Sequence, residues 1–230
     1  MPAFRLASRY DNEARSVELI EAGKHRVLVG GKWDEIGQLQ LDFLIRAGLA
    51  PDHYMLDIGC GCLRAGVKLI PYLEPNHYYG IDAEKRLLQV GFRNELVKAG
   101  VQERLDRKNL YCSRQFRHER LSENTIDFGM CCSVMTHLPL NYARICLENC
   151  HKYFMPGGKL FMTFFELPDE ASFAERFTNE QGVTTTGFSD PYHYYRRDML
   201  RAAEGTGWTA NYVGPWNHPR GQSMLEFRRE

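Results

Sequence analysis

The chain has no excess of either charge. Its 29 Lys and Arg are set against 29 Asp and Glu, a formal net charge of zero. That removes the broad positive field by which proteins hold DNA or RNA, so no nucleic-acid partner is expected. No apolar run approaches the ~20 residues that cross a bilayer, so no membrane association is expected either. Met1-Pro2-Ala3-Phe4-Arg5 runs on into charged residues without the apolar centre of a secretory signal, and a cytoplasmic location is the expectation. The seven cysteines are an odd number, no C-x-x-C pair occurs and zinc-ligand spacings are missing. Buried reduced thiols and no metal site follow. Internal repeats and low-complexity tracts are absent as well. A length of 230 residues suits one large α/β domain with a substantial core.

What is present is concentrated in Tyr54-Met55-Leu56-Asp57-Ile58-Gly59-Cys60-Gly61-Cys62-Leu63-Arg64-Ala65-Gly66. An apolar run ends in an acid, a glycine-rich turn follows, and a helix-like run continues through Leu73. Glycines at 59 and 61 allow a sharp turn and a close approach to a ligand. The helix N-terminus behind them offers N–H groups to an anion. A dinucleotide site needs a third small residue at the next position of G-x-G-x-x-G/A, and Arg64 stands there. The pattern Asp-x-Gly-x-Gly suits a ligand with an ammonium group and no pyrophosphate. One repeat downstream, His77-Tyr78-Tyr79-Gly80-Ile81-Asp82 reads as a second strand ending in an acid. An acid there accepts hydrogen bonds from ribose hydroxyls, and Asp82 also suits the cap of a helix over 84–99.

The first stretch resembles motif I of the class I S-adenosylmethionine-dependent methyltransferases, with Cys62 where many of them have a third glycine. The resemblance covers about 52–228. It implies a Rossmann-like, doubly wound α/β sheet of seven strands in the order 3-2-1-4-5-7-6, strand 7 antiparallel, within one domain over 1–230. Residues 1–51 form an N-terminal helical lid segment and 52–230 the core. The implied cofactor is S-adenosyl-L-methionine, with S-adenosyl-L-homocysteine as product. Its expected contacts are Asp57, Gly59, Cys60, Gly61, Asp82, Ala83, Gln115 and Ser133. Gln115 enters because the family often has an adenine-binding acid after strand three, where Ser113-Arg114-Gln115-Phe116 offers only an amide carbonyl.

In chain order, a helix-like piece lies near Asn12–Ala22, and apolar spacing from Ile36 to Ala47 predicts a helix capped by Asp34 and ended by Gly48. Strands are expected at 54–58, 77–81, 109–112, 126–132, 159–165, 208–213 and 223–227. Helices are expected at about 63–73, 84–99, 139–153 and 196–204, the third begun by Pro139. Pro156-Gly157-Gly158 leads into strand five in the manner of these enzymes. Residues 169–195 are irregular, Gly/Thr-rich and then aromatic, and read as a mobile or substrate-facing segment.

Ligands of doubly wound sheets lie beyond the carboxyl ends of the strands. His137, just past strand four, is the first choice for a base that takes an acceptor's proton; Glu166, at the end of strand five, and His218, in the six–seven link, are the others. Trp33, Glu35, His193, Tyr194, Trp216 and Arg220 are the expected substrate contacts, and packing or a solvated turn is the plain alternative for each. Aromatic faces among acids, histidines and arginine suit a small hydroxylated acceptor such as a saccharide, methylated on oxygen. N-methylation, protein or peptide methylation, a nicotinamide-dependent oxidoreductase and a non-catalytic cofactor-binding module stand as alternatives.

Overall fold

Parallel strands buried on both faces read as continuous apolar runs, and that is how the centre of this sheet is built. The computed structural model describes residues 13–230. The Met1–Arg5 reading and Asn12 of the expected first helix lie outside them; the rest of that helix is α1 (Glu13–Glu21), and the short α2 (His25–Leu28) follows it. All four residues of β1 (Met55–Ile58) are buried. It pairs in parallel with β2 (Tyr78–Asp82) and β4 (Ile126–Cys131). β2 carries β3 (Leu110–Cys112), and β4 carries β5 (Phe154–Glu166), both in parallel. Three short strands follow: β6 (Phe177–Thr178), β7 (Thr184–Thr185) and β8 (His193–Tyr194). The hairpin of β9 (Trp208–Pro215) and β10 (Ser223–Arg229) closes the sheet, with β10 antiparallel to β5. The order is β3-β2-β1-β4-β5-β10-β9, so β9 and β10 are the sixth and seventh strands expected from the sequence.

The order reverses between β1 and β4, the switch point at which such sheets bind ligands. Period-two alternation sends Leu56 and Ile58 into the core on one face, and Met55 into the core on the other. Asp57 shares the face of Met55, which α3 (Trp33–Arg46) and α4 (Gly66–Tyr72) cover. The opposite face is covered by α7 (Asn141–Cys150) and α8 (Arg196–Arg201).

Several boundaries differ from expectation for physical reasons. α3 starts at Trp33, with Lys32 in the left-handed region (φ 47°) at the cap position; Asp34 sits in the first turn and caps nothing. α4 starts at Gly66, because Leu63 at φ 70° keeps the chain turning. The run expected as one helix over 84–99 is α5 (Lys85–Val90), a π-turn over Gly91–Glu95 and α6 (Leu96–Lys98). At the π-turn Gly91 packs on the glycine loop: a Cβ there would lie 2.8 Å from the Cys62 carbonyl. α7 begins two residues after Pro139, whose carbonyl instead accepts the Tyr142 N–H (2.9 Å). The segment read as irregular over 169–195 contains the β6–β7 hairpin and β8, which joins the main sheet beside Phe165 and Glu166. Six cysteines are buried free thiols, while Cys112 is exposed.

Candidate active site

Gly59 (φ 73°) and Gly61 (φ 56°) hold conformations that a side chain resists. Packing forbids a side chain there too. A Cβ on Gly59 would lie 2.2 Å from Val134 Cγ2, and one on Gly61 2.5 Å from Val29 Cγ1. The N–H groups of the turn point inward. Those of Gly59 and Cys60 donate to the Ile81 carbonyl (2.7 and 3.1 Å), and that of Gly61 donates to Asp82 Oδ2 (2.8 Å). The anion cradle that the sequence suggests at this helix start is therefore not formed by these amides. A dinucleotide's pyrophosphate would need them, so the oxidoreductase alternative loses its site.

The two strand-end acids are held differently. Asp57 is 3% exposed, and Tyr78 Oη donates to its Oδ2 at 2.7 Å. Burial pushes its carboxyl up to about 6, against the opposing pull of the Tyr78 hydrogen bond and the Arg64 charge. Asp82 is half-buried, accepts from Gly61 N–H and, through Oδ1, from Glu84 N–H (2.8 Å). Burial raises it to about 6 as well, with those amides working against the rise. The helix cap considered for Asp82 belongs to Glu84, whose side chain accepts from Arg86 N–H.

Around these acids the other expected cofactor contacts divide. Cys60 is buried beside Asp57, and burial raises its thiol far above the ordinary range. Ser133, at φ 61°, donates from Oγ to Gln222 Oε1 (3.0 Å), which Thr163 Oγ1 also reaches at 2.7 Å. Ala83 is exposed and its carbonyl accepts from Cys112 Sγ. Gln115 is exposed, and its backbone carbonyl takes Asn149 Nδ2–H (2.8 Å).

Sequence reasoning missed three polar groups here. Gln40, 3% exposed, leaves Oε1 unpartnered. Arg64, 8% exposed, donates from Nη1 to the carbonyls of Val29 (2.9 Å) and Gly31 (3.2 Å) and leaves Nε unpartnered. Gln222 is the third. Arg64 had one sequence signal: an arginine inside an otherwise apolar turn. Gln40 and Arg64, together with Asp57, line a cleft of about 30 Å³ between Val29, Gly59 and Cys132. Two carboxylates and an unpartnered amide oxygen fit a ligand that brings an ammonium and ribose hydroxyls, as S-adenosylmethionine does.

Of the expected bases, His137 pairs through Nδ1 with Asp190 Oδ1 at 2.6 Å, in the turn just past β4. Glu166 is committed elsewhere. Its Oε2 accepts from Tyr212 Oη and from Ser223 Oγ (2.7 Å), and Arg196 lies 4.0 Å from Oε1. His218 is 4% exposed, stacks on Trp216 (5.4 Å) and accepts Arg220 N–H on Nδ1 (3.3 Å). Burial, then the charges of Arg64, Arg220 and Lys32, push it down to about 3. A neutral ring whose Nδ1 lone pair is taken is a hydrogen-bond donor at Nε2, not the base the sequence suggests.

The expected substrate contacts are mostly packed away. Trp33 is 9% exposed under the Arg26 guanidinium (4.4 Å). His193 is fully buried, with Nδ1 on Thr185 Oγ1 (2.9 Å) and Nε2 on the Phe173 carbonyl (3.2 Å). Tyr194, 2% exposed, donates to the Leu138 carbonyl at 2.5 Å. His193 and Tyr194 brace the fold, because their polar side-chain atoms are used internally. Trp216 is 5% exposed, edge-on to Phe43 (5.5 Å), and its Nε1 is unpartnered. Arg220 donates to the Gly30 carbonyl. Glu35 is exposed and pairs with Lys32 (3.0 Å).

Comparison with known proteins bears on the same region. Residues 56–160 match the family described as a methyltransferase domain. Among solved structures, the YcgJ protein from Bacillus subtilis aligns with a TM-score of 0.63 and 13% identity, over 84% of this chain and 97% of that one. Geranyl diphosphate C-methyltransferase from Streptomyces coelicolor A3(2) aligns at 0.60 and 13%, over 84% and 76%. Magnesium protoporphyrin IX methyltransferase from Synechocystis PCC 6803, with bound S-adenosylmethionine, aligns at 0.57 and 15%, over 85% and 81%. At these identities the likeness is one of fold. The domain match and the fold agree: residues 56–160 are similar to a methyltransferase domain, and the sheet has the Rossmann-like fold of S-adenosylmethionine-dependent methyltransferases.

Proposed function

We propose that the protein, as one domain, transfers a methyl group to oxygen of a small hydroxylated acceptor such as a saccharide. The observation that carries this is the His137–Asp190 pair, 2.6 Å apart at the carboxyl end of β4, next to the switch point. When bound, S-adenosylmethionine supplies an electrophilic methyl on a sulfonium centre. The chain's part is then to hold the acceptor in line and to take its proton, since a hydroxyl is a poor nucleophile until deprotonated. The Asp190 carboxylate accepts Nδ1–H of His137, which fixes the tautomer with the basic lone pair on Nε2. Asp57 and Gln40 Oε1 receive the cofactor's ammonium, and Asp82 its ribose hydroxyls.

No second reading of the acceptor has an observation of its own. The first experiment is calorimetric titration with S-adenosylmethionine and S-adenosylhomocysteine, then a screen of hydroxylated, amine and peptide acceptors by product mass. O-methylated product supports the proposal; product from amines or peptides alone overturns the acceptor class. His137→Ala is expected to cut turnover about 10²–10⁴-fold, the usual worth of a general base, with cofactor affinity within twofold. An unchanged turnover number removes His137 from the reaction.

A further inference from the structure

Seven buried side-chain polar atoms among the described residues have no hydrogen-bond partner, and four of them belong to one neighbourhood. They are Gln40 Oε1, Arg64 Nε, Trp216 Nε1 and His218 Nε2. All four side chains are more than nine-tenths buried. Three chain segments bring them together. Gln40 and Arg64 line the cleft at Asp57. Trp216 packs edge-on against Phe43 of α3, the helix that carries Gln40, and stacks on His218. His218 in turn feels the Arg64 charge. Leaving a donor or acceptor unpaired in a protein interior is costly, so four in one place mark groups kept for a ligand.

The chemistry of the set is asymmetric. Arg64 Nε–H, Trp216 Nε1–H and His218 Nε2–H are donors; the ring proton of His218 sits on Nε2 because Nδ1 accepts Arg220 N–H. Gln40 Oε1 and the Asp57 carboxylate are acceptors. A plain anion such as phosphate would meet Asp57 and Gln40 as repelling neighbours. A plain cation would meet Arg64. The set suits a ligand end that carries both an ammonium and a carboxylate, laid antiparallel to the Asp57–Arg64 pair.

We infer that Arg64, Trp216 and His218 form the carboxylate pole of a clamp for the α-amino-acid end of the cofactor, opposite the ammonium pole of Asp57 and Gln40. This rests on the cofactor reading above and adds to it three residues from opposite ends of the chain. It gives a reason for an arginine at 64, where a dinucleotide site would need a small residue.

The test uses the full-length protein and two probes that share the nucleoside. S-adenosylhomocysteine has the amino-acid end, and 5′-methylthioadenosine lacks it. Hydrogen bonds to a charged group are worth about 1.5–3 kcal/mol, which is roughly a 10–150-fold change in affinity. Arg64→Met is expected to weaken S-adenosylhomocysteine by about 100-fold and to leave methylthioadenosine within about twofold. Because Arg64 also holds the Val29 and Gly31 carbonyls, Trp216→Phe serves as the second variant. It keeps an aromatic ring, removes one N–H, and is expected to weaken S-adenosylhomocysteine about tenfold, again sparing methylthioadenosine. Equal losses for both probes, or no loss for S-adenosylhomocysteine, overturn the clamp. Wild-type protein that binds neither probe overturns the cofactor reading itself, and the clamp with it.

Discussion

At the scale of single residues, the two strand-end acids set how the site responds to pH. Asp57 and Asp82 are both raised to about 6, chiefly by burial. The sign for folding is unfavourable at neutral pH: each acid costs stability above about 6, and the cost is relieved as pH falls toward the ordinary value of 3.8. The sign for binding is opposite. An ammonium needs Asp57 ionised, and ribose hydroxyls need acceptor oxygens on Asp82. Below about pH 6 the free protein protonates both, so affinity for S-adenosylhomocysteine should fall by up to about tenfold per pH unit for each acid. Calorimetry between pH 5 and 8 should show a slope near two in the logarithm on the acid side. Asp57→Asn should bind more weakly and show a slope near one. A wild-type affinity flat across this range would mean that neither carboxylate changes its charge on binding.

At the scale of elements, the strap ahead of the sheet depends on one buried carboxylate. Glu95, in the π-turn after α5, is 5% exposed. It accepts from His25 Nε2 (2.6 Å) and from Arg26 Nε and Nη2 (2.9 and 2.6 Å), which tie α2 (His25–Leu28) to the body. Burial would raise its carboxyl, but the hydrogen bonds from Arg26 and His25 outweigh that and hold it below the ordinary 4.5. Stability from this group is present above 4.5 and is lost as pH falls through the lower native value. Glu95→Ala should cost about 3 kcal/mol in urea unfolding at pH 7, as for one partner removed from a buried pair. The gap to wild type should hold down to about pH 5 and shrink below it; a gap independent of pH would point to lost packing instead. This tie also shows where a sequence stops being legible. Each strand could be read because its signal is local: an apolar run, an acid at its end, a glycine turn. Asp57 and Asp82 were visible for that reason. The partnership of Glu95 with Arg26 spans 69 residues. That of Gln40, Arg64, Trp216 and His218 joins three distant segments, and no periodicity encodes it. Glu166 reads as a mouth residue from its strand end alone, yet the β9–β10 hairpin folds back to occupy it through Tyr212 and Ser223.

At the scale of the whole molecule, the site is a joint between parts that are remote in the chain. The Arg64 guanidinium holds the carbonyls of Val29 and Gly31, and that of Arg220 holds Gly30 between them. The strap, the glycine turn and the β9–β10 link therefore close on one another across the sheet's switch point. A cleft of about 30 Å³, lined by Val29 of the strap and by Asp57 and Arg64 of the glycine turn, lies at this joint. A ligand that bridges all three parts is bound by the folded chain and not by the unfolded one. At a concentration 100 times its dissociation constant, it should add about 2.7 kcal/mol to the stability of the whole. For a chain of this size each kcal/mol moves the melting temperature by about 2–4 °C, so saturating S-adenosylhomocysteine should raise it by roughly 5–11 °C. Differential scanning calorimetry across a ligand series should show one transition moving up with the logarithm of ligand concentration. Saturable binding by titration with no shift in that transition would mean that the strap and site melt before the sheet, and that the three parts are not one cooperative unit.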